Sequence, residues 1–388
     1  MGFSLSSIFD TFYLLSWKEM VMIAIGLVLI YLAIVREYEP TLLLPIGFGC
    51  ILANLGMSSY QTFESTEIIN GQLETITKSG FMKVLYDAGI STELFPLLVF
   101  IAVGAMIDFT PLFQTPVTMI FGLMAQAGIF LTMGLAYATG FFDLREAASI
   151  GIIGAADGPT SIYVANRFAP QLLGSISVAA YSYMALVPII QPPVIRLLTT
   201  AAERRIAMPY HEKPVSKRKK VLFPILVTLI SGFLVPASAA LIGFLMFGNL
   251  LRESGVVDRL AKGAQNELAN IVTILLGLAI STKMTGEDFL RPMTLGIMGL
   301  GLVAFVLDTA AGVVTAKVLN LFLRRKINPM IGAAGISAFP MSSRVIQRMA
   351  TAEDKNNFIL MQAVGANVSG QIGSVLAGGL LMAFLAGL

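Results

Sequence analysis

The sequence is short of cysteine, histidine and charge. It has one cysteine and one histidine in 388 residues. A lone Cys50 excludes an internal disulfide framework and any multi-cysteine zinc or iron–sulfur site. A lone His211 excludes a histidine-cluster metal site. Charged residues make up 13% of the chain and hydrophobic residues 56%. Soluble domains carry about 25% charged residues. A water-soluble globular protein, a disordered chain, a collagen and a coiled coil are therefore excluded. No nucleotide-binding loop is present, so ATP is not the driver. Glycine (36) and proline (17) are plentiful. They suit close-packed or broken transmembrane helices.

The net charge of +3 hides a local concentration. Residues 203–220 hold Arg204, Arg205, Lys213, Lys217, Arg218, Lys219 and Lys220 against Glu203 and Glu212. The rest of the chain is slightly acidic. A basic block between two long apolar stretches marks a cytoplasmic loop. Tyr210 is the one aromatic residue among these charges and no nucleic-acid motif surrounds them, so no nucleic-acid partner is expected. The N-terminal stretch lacks a basic region and a small-residue cleavage site, so no cleaved signal peptide is expected.

Several long stretches contain no Asp, Glu, Lys or Arg, among them residues 20–35, 109–142, 221–251 and 356–388. A span needs about 20 mostly apolar residues, and uninterrupted runs exclude the alternating strands of a barrel. The expected fold is an all-α polytopic membrane protein with roughly ten membrane segments. Residues 221–251 are too long for one span and contain Pro224, Pro236 and Gly248. Residues 56–87 form the one long polar connection, expected on the side opposite the basic loop.

An internal repeat organises the chain. Ile153-Gly154-Ala155-Ala156-Asp157-Gly158-Pro159-Thr160 is echoed by Ile331-Gly332-Ala333-Ala334-Gly335-Ile336-Ser337. Ile46-Gly47-Phe48 is echoed by Ile242-Gly243-Phe244, and Gly104-Ala105-Met106-Ile107 by Gly277-Leu278-Ala279-Ile280. The order is the same in both halves. Secondary transporters are commonly built this way, with broken helices holding substrate at the midplane. The expected organisation is a first membrane repeat with an N-terminal helix (1–200), a basic cytoplasmic loop (201–220) and a second membrane repeat (221–388). A basic cluster at residues 324–326, with none at the matching place 141–146, points to inverted repeats with broken, re-entrant helices. No basic cluster follows the last segment, so the C-terminus is expected outside.

The sharpest candidate site is Asp157. It lies deep in an apolar segment beside Gly158-Pro159, which cannot continue a regular helix. Freed carbonyls, one carboxylate and the hydroxyls of Thr160 and Ser161 make an oxygen-rich cage suited to Na⁺ or a proton. A charge at this depth is costly and marks function by default; the alternative is an aspartate capping a half-helix. The second half offers Asn328, Gly332, Ser337 and Arg344, with Pro340 as the breaker. Arg344 either holds an anionic substrate group or snorkels to the headgroups. Tyr183 either donates a hydrogen bond or anchors at the interface. Asn367, in a small-residue stretch, is a packing residue or a further ligand. Asp108 and Asp308 rank below Asp157, because each lies near a segment end and can act as a cap.

The strings GAADGPT, AAYSYMALVP and QPPVIRLLTT, together with NPMIGAAGISAFPMSSRV, FGNLLRESGVVDRL and GANVSGQIGS, carry a resemblance. The chain resembles the β subunit of the biotin-dependent sodium-pumping decarboxylases of the oxaloacetate, methylmalonyl-CoA, glutaconyl-CoA and malonate type. The likeness runs from about residue 38 to the C-terminus. It implies a multi-pass inner-membrane subunit that decarboxylates carboxybiotin, exports Na⁺ and consumes a proton. Asp157 matches the family's membrane aspartate and sodium ligand. Tyr183, Ser337 and Arg344 match its catalytic set, with Tyr183 and Arg344 toward the biotin. Asn328, Gly332, Ser337 and Asn367 match the residues around the ion. The polar loop is shorter than in oxaloacetate-specific members, a lean toward acyl-CoA decarboxylases.

The implied partners are a biotin carrier protein or domain, a soluble carboxyltransferase α subunit and a small membrane-anchor subunit, with a homo-oligomer possible inside the complex. The chain has no Met-Lys-Met biotinylation motif, so the carboxybiotin must come from the carrier. The competing expectation is a stand-alone Na⁺-coupled secondary transporter of a carboxylate, which would need no such partners.

Overall fold

A computed structural model describes residues 15–37, 39–55, 62–69, 72–210 and 214–387, with residues 62–69 and 72–79 described by backbone alone. The start of the first repeat, Tyr38, parts of the polar connection, and His211, Glu212 and Lys213 of the basic loop lie outside the described residues.

The described chain is helical but for one hairpin. The main helices are α1 (Trp17–Val35), α2 (Pro40–Ala53), α3 (Leu94–Met106), α4 (Thr118–Ala125), α5 (Ala127–Ala138), α6 (Leu144–Gly151), α7 (Gly158–Phe168) and α8 (Leu173–Leu198). They continue with α9 (Lys217–Leu234), α10 (Ala239–Ser254), α11 (Ala269–Ser281), α12 (Pro292–Phe322), α13 (Met330–Ala333), α14 (Met341–Glu353) and α15 (Leu360–Ala386). The hairpin pairs β1 (Thr62–Ile69) with β2 (Gln72–Ser79), antiparallel, Thr62 opposite Ser79. It falls inside the polar connection. An all-α expectation misses it because a hydropathy count sees only that the stretch is too polar to span. The over-long apolar run divides at the turn Pro236–Ser238 into α9 and α10, where proline withholds an amide from the helix ladder.

Among the described residues six helices are long and apolar enough to cross a membrane, or seven if the pair bent by 62° around Leu94 is one span. Large apolar side chains stand exposed around the bundle, including Leu197 (85%), Phe233 (83%) and Phe322 (80%). In a water-soluble protein such a surface would aggregate; facing hydrocarbon it costs nothing. Helix α15 is the axis of the bundle, with 78% of its apolar window buried, while α1 at the rim has 22%.

Small residues bring backbones together where apolar surface gives no drive for helices to associate. A Cβ on Gly104 would lie 1.8 Å from the Leu245 carbonyl oxygen, and one on Gly248 2.0 Å from that of Ile101. Helices α3 and α10 therefore pack backbone to backbone. Helices α8 and α12 run side by side in the same direction. Ser175 meets Thr294 at 3.2 Å near their starts, and Lys317 bonds the Leu198 carbonyl at 2.9 Å near their ends.

Candidate functional site

Two broken hairpins form the centre. The first begins at Asp143, whose carboxylate accepts from the Glu146 amide at 2.7 Å while Glu146 accepts from the Asp143 amide at 3.1 Å. This reciprocal cap starts α6. The helix tightens into the turn Ile152–Ala155, and Ala156 adopts the left-handed conformation at φ 51°. Asp157 then caps the returning α7, with Pro159 in its first turn. The legs come back together at Gln171, which bonds Glu146 at 3.0 Å.

The second hairpin starts at Asn328, whose side-chain oxygen accepts from the Met330 amide at 3.1 Å. Helix α13 lasts one turn before the chain breaks through Gly335 to Pro340 and returns as α14. Its base is held by Arg204 on Glu353 at 2.6 Å. Gln171 lies just before α8 and Arg204 just after it. Helix α8 has 26 residues, about 39 Å at 1.5 Å per residue, so the hairpins enter from opposite ends of the bundle. Their tips meet: the Ser337 amide donates to the Ala155 carbonyl at 2.9 Å.

Asp157 is 5% exposed. One carboxylate oxygen accepts from the Thr160 hydroxyl at 2.6 Å and from the Ser374 hydroxyl of α15 at 2.8 Å. The cap that the sequence offered as the alternative is present: Asp157 accepts from the Thr160 amide at 3.4 Å. A cavity of about 370 Å³ opens beside it, lined by Glu39, Asp157, Tyr181, Asn270, Ser337 and Gln371 among others. Met106 also lines it, and its carbonyl accepts from Arg252 at 2.7 Å. Arg252 lies 3.6 Å from Asp108, which Lys220 of the basic loop approaches at 4.0 Å. The cavity thus runs from the hairpin tips toward the end of the bundle that carries the basic loop. Oxygen donors with one buried carboxylate suit a hard monovalent cation; among the described residues no cluster of three His, Cys, Asp or Glu could hold a transition metal.

The structure brings Asp157 and Ser337 together on this cavity. The Ser337 hydroxyl donates to the Gly370 carbonyl at 3.0 Å. The other sequence candidates stand around it. Asn367 donates to the carbonyls of Ile336 (2.7 Å) and Ala334 (3.2 Å), which frames the second tip. Gly332 crosses Gly312 of α12 so closely that a Cβ on either would lie 2.0 Å from the other's carbonyl oxygen. The Asn328 amide bonds the carbonyls of Arg204 (2.8 Å) and Ile206 (3.0 Å), fastening the hairpin base to the basic stretch. Tyr183 is buried and its hydroxyl bonds the Met298 carbonyl. Arg344 is exposed on α14.

Sequence reasoning passed over Ser374, Gln371 and Glu39. Ser374 and Gln371 follow Asn367 at helical spacing on α15, and that spacing was the available signal. The Gln371 side chain donates to the Ser337 carbonyl. The Tyr181 ring lies against Gly158, where a Cβ would come within 2.1 Å of it. Asp108 stands one residue before Phe109, the N-cap of the short helix Thr110–Gln114, and accepts from the Thr110 amide at 2.9 Å. Partial burial pushes its carboxyl up, but Thr110, Arg252 and Lys220 more than offset this and hold it below the usual range. Asp308 is no cap: it lies in the middle of α12.

Residues 18–385 match the family described as the Na⁺-transporting oxaloacetate decarboxylase beta subunit. The chain belongs to this family. It is 47% identical over 380 residues to the methylmalonyl-CoA decarboxylase subunit beta of Propionigenium modestum, covering 96% of each chain. It is 48% identical over 365 residues to that of Veillonella parvula, covering 94% of this chain and 92% of the relative. It is 43% identical over 412 residues to the oxaloacetate decarboxylase beta chain of Klebsiella pneumoniae, covering 95% of each. This β subunit is thus the membrane component of a sodium-translocating decarboxylase, and the stand-alone carrier is set aside.

Proposed function

We propose that this β subunit decarboxylates carboxybiotin presented by a partner and couples the step to Na⁺ export with uptake of one proton. The observation that carries the reading is the meeting of Asp157 and Ser337, from opposite hairpins, on one cavity that reaches toward the basic end. The ion site is Asp157 with Ser337 and Gln371, and Thr160 and Ser374 orient the carboxylate. Asn328, Gly332 and Asn367 hold the second tip in place. Tyr183 and Arg344 act from outside the cavity lining, Arg344 as the exposed cation that first meets the carboxylated ring.

Cleaving the N-carboxyl group releases CO₂ and leaves its electron pair on the ureido nitrogen, which takes a proton. A buried carboxylate that binds Na⁺ in one state and a proton in another gives the differential affinity that coupling requires. The hairpins entering from opposite ends support an inverted repeat whose halves meet at the ion. Counting α2, α3, α9 and α10 as membrane-embedded beside the six long spans gives roughly ten spans, with the hairpins re-entrant between them. The basic loop then faces the cytoplasm of an inner membrane, where a biotin carrier, a carboxyltransferase α subunit and a small anchor subunit would assemble.

The chain's size sides with an acyl-CoA as the partner's substrate. The alignment to the Klebsiella relative runs over 412 positions, more than this chain's 388 residues, so it requires insertions. Those to the methylmalonyl-CoA relatives run over 380 and 365. The experiment is radiosodium uptake by vesicles holding the complete complex, with methylmalonyl-CoA or oxaloacetate, each with and without avidin. Uptake driven by methylmalonyl-CoA and stopped by avidin is expected. Uptake insensitive to avidin would overturn the biotin-coupled reading.

A further inference from the structure

Asp308 is 0% exposed, and among the described residues no side chain bonds either carboxylate oxygen; its nearest donors are the backbone amides of Gly128 and Ile129 at the start of α5, which fall short of hydrogen-bond geometry. It rests between two glycines. A Cβ on Gly128 of α5 would lie 2.2 Å from one of its oxygens, and a Cβ on Gly154 would lie 2.7 Å from the other. Gly154 belongs to the turn Ile152–Ala155, three residues before Asp157. The carboxyl group therefore fills a space that two missing side chains leave open, directly behind the first hairpin tip. Two further buried hydroxyls, Thr132 on α5 and Thr309 on α12, have no hydrogen-bond partner among the described residues.

Among the described residues no cation from the packed elements compensates this group, and Lys317, more than two turns along α12, is engaged by Glu203 and the Leu198 carbonyl. Helices α4 and α13 carry no titratable residue, and α5 carries Tyr137 alone. Helix α8 brings Tyr181, Tyr183 and Arg196; the Tyr183 ring meets α12 at Gly301, two turns before Asp308. Arg145 and Glu146 of α6 lie at the Gln171 end. An ionised carboxylate in such a place carries a desolvation penalty that relaxation does not remove. A group so placed binds a proton instead of staying charged.

We propose that Asp308 is a proton-carrying site of the transport cycle. It holds its proton in the conformation described here and releases it when the Ile152–Ala155 turn moves off it. On release the O–H bond breaks, the electron pair stays on the carboxylate, and the proton passes to water admitted at the face that Gly154 vacates. Only the use made of that proton rests on the coupled decarboxylation proposed above.

The test is infrared absorption of the complete complex in lipid vesicles. A carboxylic-acid carbonyl band that exchanges slowly in heavy water is expected in the wild type and in Asp157→Asn, and its absence in Asp308→Asn. An unchanged band in Asp308→Asn means that Asp308 is ionised, and the proposal fails. Asparagine has the shape of the neutral acid, so Asp308→Asn should assemble; failure to assemble would also count against a neutral carboxyl. In the assembled variant, radiosodium uptake should fall at least about a hundredfold, the lower end for a lost positioned proton donor. Asp308→Glu should restore part of it. Wild-type uptake by Asp308→Asn would overturn the transport role. Absence of uptake in the wild-type complex would sink the decarboxylase reading while leaving the band difference intact, so the two failures are distinguishable.

Discussion

The amide of Ser337 donates to the carbonyl of Ala155 at 2.9 Å, across 182 positions of sequence. This bond ties the tip of one broken hairpin to the tip of the other, two residues before Asp157. Each tip is irregular backbone at membrane depth. Such backbone is tolerated only where protein or a cavity satisfies it. Here each tip satisfies part of the other, so neither hairpin can shift without disturbing its partner. An ion seated between them, as proposed, would sense both hairpins.

Asp157→Asn should abolish sodium uptake and sodium-stimulated decarboxylation while leaving the complex assembled. Asparagine keeps a side-chain oxygen for Thr160 and Ser374 but removes the negative charge that a cation needs. Radiosodium uptake by vesicles, with assembly checked by gel filtration, decides it. Full uptake in the variant would place the ion elsewhere.

Ser374 and Asn328 separate ligand support from framework. Ser374→Ala removes a hydroxyl from the Asp157 oxygen, a loss of about 1–3 kcal/mol, or roughly ten- to a hundredfold in the sodium concentration for half-maximal activity. Asn328→Ala removes the two bonds to the Arg204 and Ile206 carbonyls and the cap on Met330. It should lower thermal stability in detergent and leave the sodium dependence near wild type. The reverse pattern would move Asn328 into the ion site and Ser374 out of it.

Much of this centre is legible in the sequence. Asp157 announces itself because a charge beside Gly-Pro in an apolar run has few structural uses. Ser337 is found through the repeat, which puts it near the position that Asp157 holds in the first copy. Ser374 is hidden, because a serine among the glycines and alanines of α15 looks like any small packing residue. Its role depends on which face α15 turns to α7, and one strand of hydropathy does not encode that. Asp308 is misread as a cap for a related reason. The apolar run stops at Leu307, yet the helix continues to Phe322, its following turns packed on α13 at Gly312 and held to the end of α8 at Lys317. The hairpin β1–β2 escapes because its pairing is local and polar, outside the spans that hydropathy detects.

Gly332→Ala should destabilise the complex more than Gly134→Ala. At Gly332 a Cβ would lie 2.0 Å from the Gly312 carbonyl oxygen, while at Gly134 no described residue stands within 4 Å. Backbone cannot rotate away as a flexible side chain can, so α12 and α13 must separate. Overpacking of this kind costs about 1–3 kcal/mol, and shifts at the hairpin base would reach Ser337. The melting temperature of the purified complex should fall for Gly332→Ala and hold for Gly134→Ala. Equal effects would mean that the α12–α13 crossing is looser than the geometry implies.

Sidedness is testable with two single cysteines. Ser216 is exposed and its side chain makes no cap bond to α9, so Ser216→Cys should fold without penalty. Phe141 is 79% exposed at the turn before Asp143, at the end where Gln171 meets Glu146. The native Cys50 is fully buried with its thiol against the Met22 carbonyl at 3.3 Å, so it should stay silent toward a membrane-impermeant reagent and can remain in place. Lysine and arginine are retained on the cytoplasmic side. Ser216→Cys should therefore label only in inside-out vesicles, and Phe141→Cys only in intact cells or right-side-out vesicles. Labelling of both from one side would remove the opposed hairpins. Exchange of the two patterns would invert the subunit, and the cavity between Asp157 and Met106 would then open away from any cytoplasmic biotin carrier.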